Sequence, residues 1–236
     1  MLKEVVDKDK LQKRIAVCTG SAAFSQVLQH LLASWGFDLC RQDDPSVLLL
    51  AEEGCCEPVA GQKSIWLSRS RETVPDRIRL PIAVESLWRV LEQRFHHQPR
   101  MHMRMAVDLP ARLYLRGEWV DTRLNSLSDM GARFGTEREM VKQEPVSIEL
   151  NIDGRLRQYH GEVIFSMAVG AADRGLFQSG VVFSGQDQTT CDGLRAVLIS
   201  RYLEAVREKM DRQLFEAGLA DLDLDTDVRR KLMHAD

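Results

Sequence analysis

The sequence predicts a chain of two parts, an α/β layer structure followed by a small all-β barrel or sandwich that ends in a helix. Three observations carry this. Between Arg14 and His97 short apolar runs alternate with amphipathic helical stripes, at Pro99 that pattern stops, and beyond it apolar residues recur at every second position. The length of 236 residues agrees, because about 150 residues per domain gives between one and two domains. A composition of 44% hydrophobic and 28% charged residues supports buried cores and excludes a disordered or fibrous chain. The longest apolar runs, such as Val47 to Ala51, fall far short of the roughly 18 residues of a spanning helix, so no membrane insertion is expected. Residues 1–12 mix charges of both signs without an apolar stretch or cleavage site, which predicts a cytoplasmic location.

Arg14 to Cys18 is the first strand. Ser21 can cap a helix whose Phe24, Val27, Leu28, Leu31, Leu32 and Trp35 share one face, and Gly36 ends it. Phe37 to Cys40, Val47 to Ala51, Ser64 to Leu67 and Ile78 to Leu80 continue as short strands, and Val84, Leu87, Trp88, Leu91 and Phe95 mark a second helix. The connection from Arg41 to Ser46 is too short for a helix. Residues 1–97 therefore form a truncated doubly wound domain.

Arg94 to Pro99 is the linker, since Pro99 cannot extend the preceding helix. Leu109, Ala111, Leu113 and Leu115 then alternate with polar residues, as do Val146, Ile148, Leu150 and Ile152. Asp153-Gly154 suits a type I′ hairpin turn, Arg155 to Phe165 returns, and Leu176 to Phe183 follows a Gly-rich loop. About six antiparallel strands result. A helix from Cys191 to about Phe215 closes the domain, placed at residues 98–210, and residues 211–236 read as an acidic tail with a solvated connector and a short last helix. The apolar face of the long helix is broad enough that either a second copy of the chain or the N-terminal domain must cover it.

The layout of residues 1–97 resembles a response-regulator receiver domain. A receiver needs acidic residues after its first strand for magnesium, an aspartate ending the third to accept phosphate and a lysine ending the last. Here Thr19-Gly20, Ala51-Glu52 and Leu80 stand at those places. The resemblance thus implies a degenerate, phosphorylation-dead domain, in which Glu52 or Glu53 is either a phosphate mimic or a solvated loop acid.

Arg100 and Arg104 lie four apart where the chain enters the β domain, and beyond one strand comes Asn125-Ser126-Leu127-Ser128-Asp129-Met130-Gly131. Together they resemble the PilZ domain signature, Arg-x-x-x-Arg followed by Asp/Asn-x-Ser-x-x-Gly. The resemblance covers about residues 98–205 and implies a six-stranded antiparallel β-barrel with a C-terminal helix that binds cyclic di-GMP. The residue types suit that ligand: guanidinium forks match phosphate oxygens and the O6/N7 edge of guanine. The resemblance assigns ligand contact to Arg100, Arg104, Ser126, Ser128 and Gly131, with Asp129, Gln98 and His97 as additional candidates. One position departs: Ser126 stands where the family has Asp or Asn, and a serine offers neither a carboxylate nor an amide edge. Strict strand alternation would point Asn125 to the opposite side. The departure leaves open whether binding is weakened or lost.

Nothing points to catalysis. His102 and His160 lack metal-ligand spacing, Cys55-Cys56 has no base beside it, and the five cysteines show no Cys-x-x-Cys pair, so reduced thiols without zinc or disulfides are expected. The net charge of -3, with 15 basic and 15 acidic residues across 98–210, excludes a surface built for DNA or RNA. The sequence thus predicts a non-enzymatic cyclic di-GMP receptor, without cofactor or metal, that signals to an unidentified protein partner through interdomain orientation. The alternatives are a PilZ adaptor that has lost the nucleotide and a phosphorylation-driven response regulator.

Overall fold

The first sheet is centred on two apolar runs, Ile15 to Val17 and Leu48 to Ala51, all buried. The computed structural model describes residues 13–70, 74–169 and 176–234, so the N-terminal charged stretch and most of the Gly-rich loop discussed above lie outside the described residues. The chain divides into two units, Met1–Met101 with Ile199–Asp236, and His102–Leu198.

In the first unit β1 (Arg14–Cys18) leads into α1 (Ala22–Ser34), where Ser21 Oγ accepts the Phe24 N–H at 3.2 Å. Phe24, Val27, Leu28, Leu31 and Leu32 are fully buried, and Gly36 takes the left-handed turn at φ +79° that ends the helix. The strands β2 (Asp38–Leu39), β3 (Leu48–Glu52), β4 (Ser64–Ser68) and β5 (Arg77–Arg79) complete a parallel sheet of order β2-β1-β3-β4-β5. That is the order of flavodoxin-like doubly wound folds. Among the described residues no helix follows β2, β3 or β4, as the short connections require. A two-residue β6 (Ile82–Ala83) then starts α2 (Val84–Phe95), which buries Leu87, Trp88, Leu91 and Phe95.

The receiver-like positions are occupied by internal contacts. Glu52 Oε2 accepts the Gly20 N–H at 2.9 Å and Glu53 pairs with Arg77 at 2.6 Å, so neither acid is a free loop charge. The cysteines depart from expectation: Cys18 and Cys56 form a disulfide with Cα atoms 6.5 Å apart, while Cys40, Cys55 and Cys191 are free. Their separation of 38 residues conceals the pairing in the sequence. Parallel pairing sets Cys18 opposite Ala51, which delivers the loop after β3 to the end of β1.

The second unit is a closed barrel of β7 (Arg104–Leu115), β8 (Glu118–Ser128), β9 (Gly131–Thr136), β10 (Pro145–Ile152), β11 (Arg155–Ala168) and β12 (Phe177–Phe183), in the order β10-β11-β12-β9-β8-β7. Every pairing is antiparallel. Alternate residues fill it: Leu113, Leu124, Phe134, Ile148, Leu150 and Val181 belong to one buried cluster. Asp153 and Gly154 have φ of +54° and +75°, as a type I′ turn demands.

The terminal helix is two helices. α3 (Gln188–Arg207) is followed by α4 (Arg212–Gly218), because Asp211 Oδ1 accepts the N–H groups of Gln213 at 2.9 Å and Leu214 at 3.1 Å and so begins a new helix. Leu194 and Leu198 join the barrel core, whereas Tyr202, Leu203 and Val206 are buried in the first unit, with Tyr202 edge-on to Trp35.

Residues 211–236, expected as an acidic tail, are folded. After a 3-10 turn at Leu219–Asp221, β13 (Leu222–Asp223) pairs in parallel with β6, and α5 (Thr226–His234) follows. Leu219 and Leu222, one 3-10 turn apart, are buried, and Asp221 pairs with Arg69 at 2.7 Å.

Candidate ligand-binding face of the barrel

Three strands of the barrel set the candidate residues by register. Arg104 of β7 lies opposite Ser128 of β8, Ala106 opposite Ser126, Ser126 opposite Arg133 of β9, and Ser128 opposite Gly131. Directly opposed residues share a face of a sheet, and Leu127 and Ala132, the intervening pair, are in the core. Arg104, Ser126, Ser128, Gly131 and Arg133 therefore occupy one outer face. The other candidates precede it: His97, Gln98 and Arg100 are exposed residues of the first unit, where the Arg100 backbone N–H donates to the buried Glu92 carboxylate at 3.2 Å.

Residues 98–200 match the family model of the PilZ domain. This segment is a PilZ domain. Solved structures similar to the chain include an inhibitor of motility from Bacillus subtilis, 15% identical with a TM-score of 0.39, over 45% of this chain and 53% of that one. The PilZ domain with c-di-GMP of YcgR from Escherichia coli is 16% identical with a TM-score of 0.40, over 48% and 97%. A c-di-GMP complex of MrkH from K. pneumonia is 16% identical with a TM-score of 0.41, over 47% and 56%. The chain thus spans about half the length of the Bacillus and MrkH proteins. No curated protein matches the chain.

Within the PilZ domain, the motif residues hold the barrel as well as facing outward. The Ser128 hydroxyl is buried, donates to the Gly131 carbonyl at 3.0 Å and accepts the Met130 N–H at 3.3 Å, so it fastens the turn between β8 and β9. Gly131 does not use a left-handed conformation; a Cβ there would collide with the Val181 carbonyl oxygen of β12, so close strand approach is what demands glycine.

Asp129 is not a solvated loop acid. Its carboxylate is buried and accepts Arg195 Nε at 3.1 Å and Nη2 at 2.8 Å on one oxygen, while His102 Nδ1 lies 3.0 Å from the other. Burial, and next the Asp129 carboxylate, push the neighbouring Cys191 thiol up. No sequence signal announced Arg195, which lies 66 residues beyond its partner on another element.

The alternation rule applied to Asn125 does not hold, because β8 is bulged there. Leu124 pairs with Phe134 and Ser126 with Arg133, leaving Asn125 as the extra residue, and β7 shifts register at the same place. Leu124 and Leu127 are both in the core although three apart, so Asn125 and Ser126 both face outward. That spacing of two leucines was the available signal. Among the described residues no group of three or more His, Cys, Asp or Glu is placed to hold a metal, and no helix is long and apolar enough to cross a membrane.

Proposed function

We propose that the chain is a non-enzymatic cyclic di-GMP receptor. The observation that carries the reading is the outer face of the PilZ barrel, where Arg104 and Arg133 flank the hydroxyl residues Ser126 and Ser128. Two phosphates and two guanines call for such donors: guanidinium groups for phosphate oxygens and O6/N7 edges, and polar groups on a strand that lets a planar base approach. Arg100, on the segment before β7, supplies a second fork. Ligand held by Arg100 and by the barrel orders that segment and changes interdomain orientation, which a protein partner reads. A cytoplasmic setting belongs to this reading, although the Cys18–Cys56 disulfide runs against it, since such bonds persist mainly in oxidising compartments.

The adaptor alternative draws on one observation, the commitment of the Ser128 hydroxyl to its own turn. Titration of the chain with cyclic di-GMP separates the two: saturable binding that weakens in Arg104→Ala supports the receptor, and its absence from folded protein supports the adaptor.

A further inference from the structure

Asn125 Oδ1 and Arg133 Nε are two of the three buried polar atoms of the barrel that meet no hydrogen-bond partner among the described residues, the third being the Tyr159 hydroxyl on β11. Such atoms are few in folded proteins and each asks for a reason, because an unmade bond at a buried group costs more than a made one returns. These two belong to one place. Asn125 is the residue that the bulge adds to β8, and Arg133 stands opposite its neighbour Ser126, so all three side chains lie on the outer face described above.

One atom is an acceptor that lacks a donor and the other a donor that lacks an acceptor, yet they do not satisfy each other. A ligand edge that presents donors beside acceptors completes both. Guanine has this edge: N1–H and N2–H donate, and O6 and N7 accept. A guanidinium on O6 and N7 of guanine leaves N1–H and N2–H to the amide oxygen, whereas adenine in the same pose turns its N6–H2 donor to the guanidinium and its N1 acceptor to the amide oxygen. Both side chains are half-buried, so shifts of neighbouring outer-face side chains expose their polar ends without opening the barrel.

The geometry points to Asn125 and Arg133 as the base-reading pair of this site, with Asn125 Oδ1 accepting from the guanine N–H edge and Arg133 donating to O6 or N7. The bulge is what makes this available. It brings the amide of Asn125 to the face where Ser126 presents only a short hydroxyl. The inference rests on the cyclic di-GMP reading.

The test is calorimetric titration of the full chain with cyclic di-GMP and cyclic di-AMP, alongside thermal unfolding without ligand. Asn125→Ala and Arg133→Met should each weaken cyclic di-GMP binding by about ten- to a hundredfold, and Ser126→Ala by no more than about threefold. Asn125→Asp keeps the acceptor and should bind more tightly than Asn125→Ala. The preference for guanine over adenine should narrow in Asn125→Ala, while unfolding temperatures stay at or above that of the parent because an unmet polar atom has been removed. A parent that takes up no cyclic di-GMP defeats the receptor reading and this inference with it. A parent that binds, with Asn125→Ala and Arg133→Met binding equally well, defeats this inference alone. So does a loss of affinity that tracks a loss of thermal stability in both, or a loss in Asn125→Ala that Asn125→Asp shares in full.

Discussion

Asp129 and Arg195 are joined by two hydrogen bonds to one carboxylate oxygen, at 2.8 and 3.1 Å, with the aspartate side chain 2% exposed and the arginine 24%. The pair ties the turn between β8 and β9 to α3. A buried charge keeps its cost when its partner is removed, so Arg195→Met and Asp129→Asn should each lower stability by about 2 to 4 kcal/mol, and the double variant by much less than their sum. Urea unfolding of the four proteins measures this; additive losses would show that the pair is not a unit.

Gly131→Ala should destabilise the barrel by about 1 to 3 kcal/mol, because the added methyl group meets the Val181 carbonyl and the backbone of β9 and β12 must part. Chemical denaturation checks it. A variant as stable as the parent would mean that glycine is kept at 131 for ligand approach alone.

Among the five cysteines, Cys40, Cys55 and Cys191 are free, so a thiol-reactive dye in denaturant should titrate three thiols without reductant and five after reduction. Opening a 38-residue loop should lower stability by about 3 to 4 kcal/mol on the chain-entropy account. Five reactive thiols in protein purified without reductant would instead support the reduced state expected from composition.

Burial pushes the Tyr202 phenol up to about 12 from its ordinary 10. Its folded pKa is raised, so it has no effect on stability below pH 10, where the phenol is protonated in both states. As pH rises from 10 towards 12 the unfolded chain ionises first, and stability falls through that window. Tyr202→Phe should flatten this fall, as followed by denaturation at a series of pH values; an unchanged slope would place the titrating group elsewhere.

Much of the fold was legible because local signals and tertiary demands agreed. Ser21 caps α1 as its sequence position suggests, Asp153-Gly154 turns as its residue types require, and Val146, Ile148, Leu150 and Ile152 of β10 alternate into the core. The legibility failed where a long-range partner decides the outcome. Cys18 finds Cys56 only through the register of β1 on β3, and Asp129 finds Arg195 only once the barrel and α3 are assembled. Residues 221–227 look like a solvated acidic run until β6 offers Leu222 and Asp223 an edge to pair with. In the candidate site, the motif residues Arg104, Ser126, Ser128 and Gly131 could be named through their resemblance to the PilZ signature. Asn125 was signalled only by the three-residue spacing of Leu124 and Leu127, because a one-residue bulge changes which side chains of β8 face outward.

We propose that the outer face of β7, β8 and β9 binds cyclic di-GMP through its arginines. Calorimetric titration of the full chain tests it most directly, with Arg104→Ala as the control and far-UV circular dichroism confirming that both are folded. Saturable binding by the parent and a loss of about 2 kcal/mol, roughly thirtyfold, in the variant are expected. No heat of binding from the folded parent, or equal affinity in the folded variant, would contradict it.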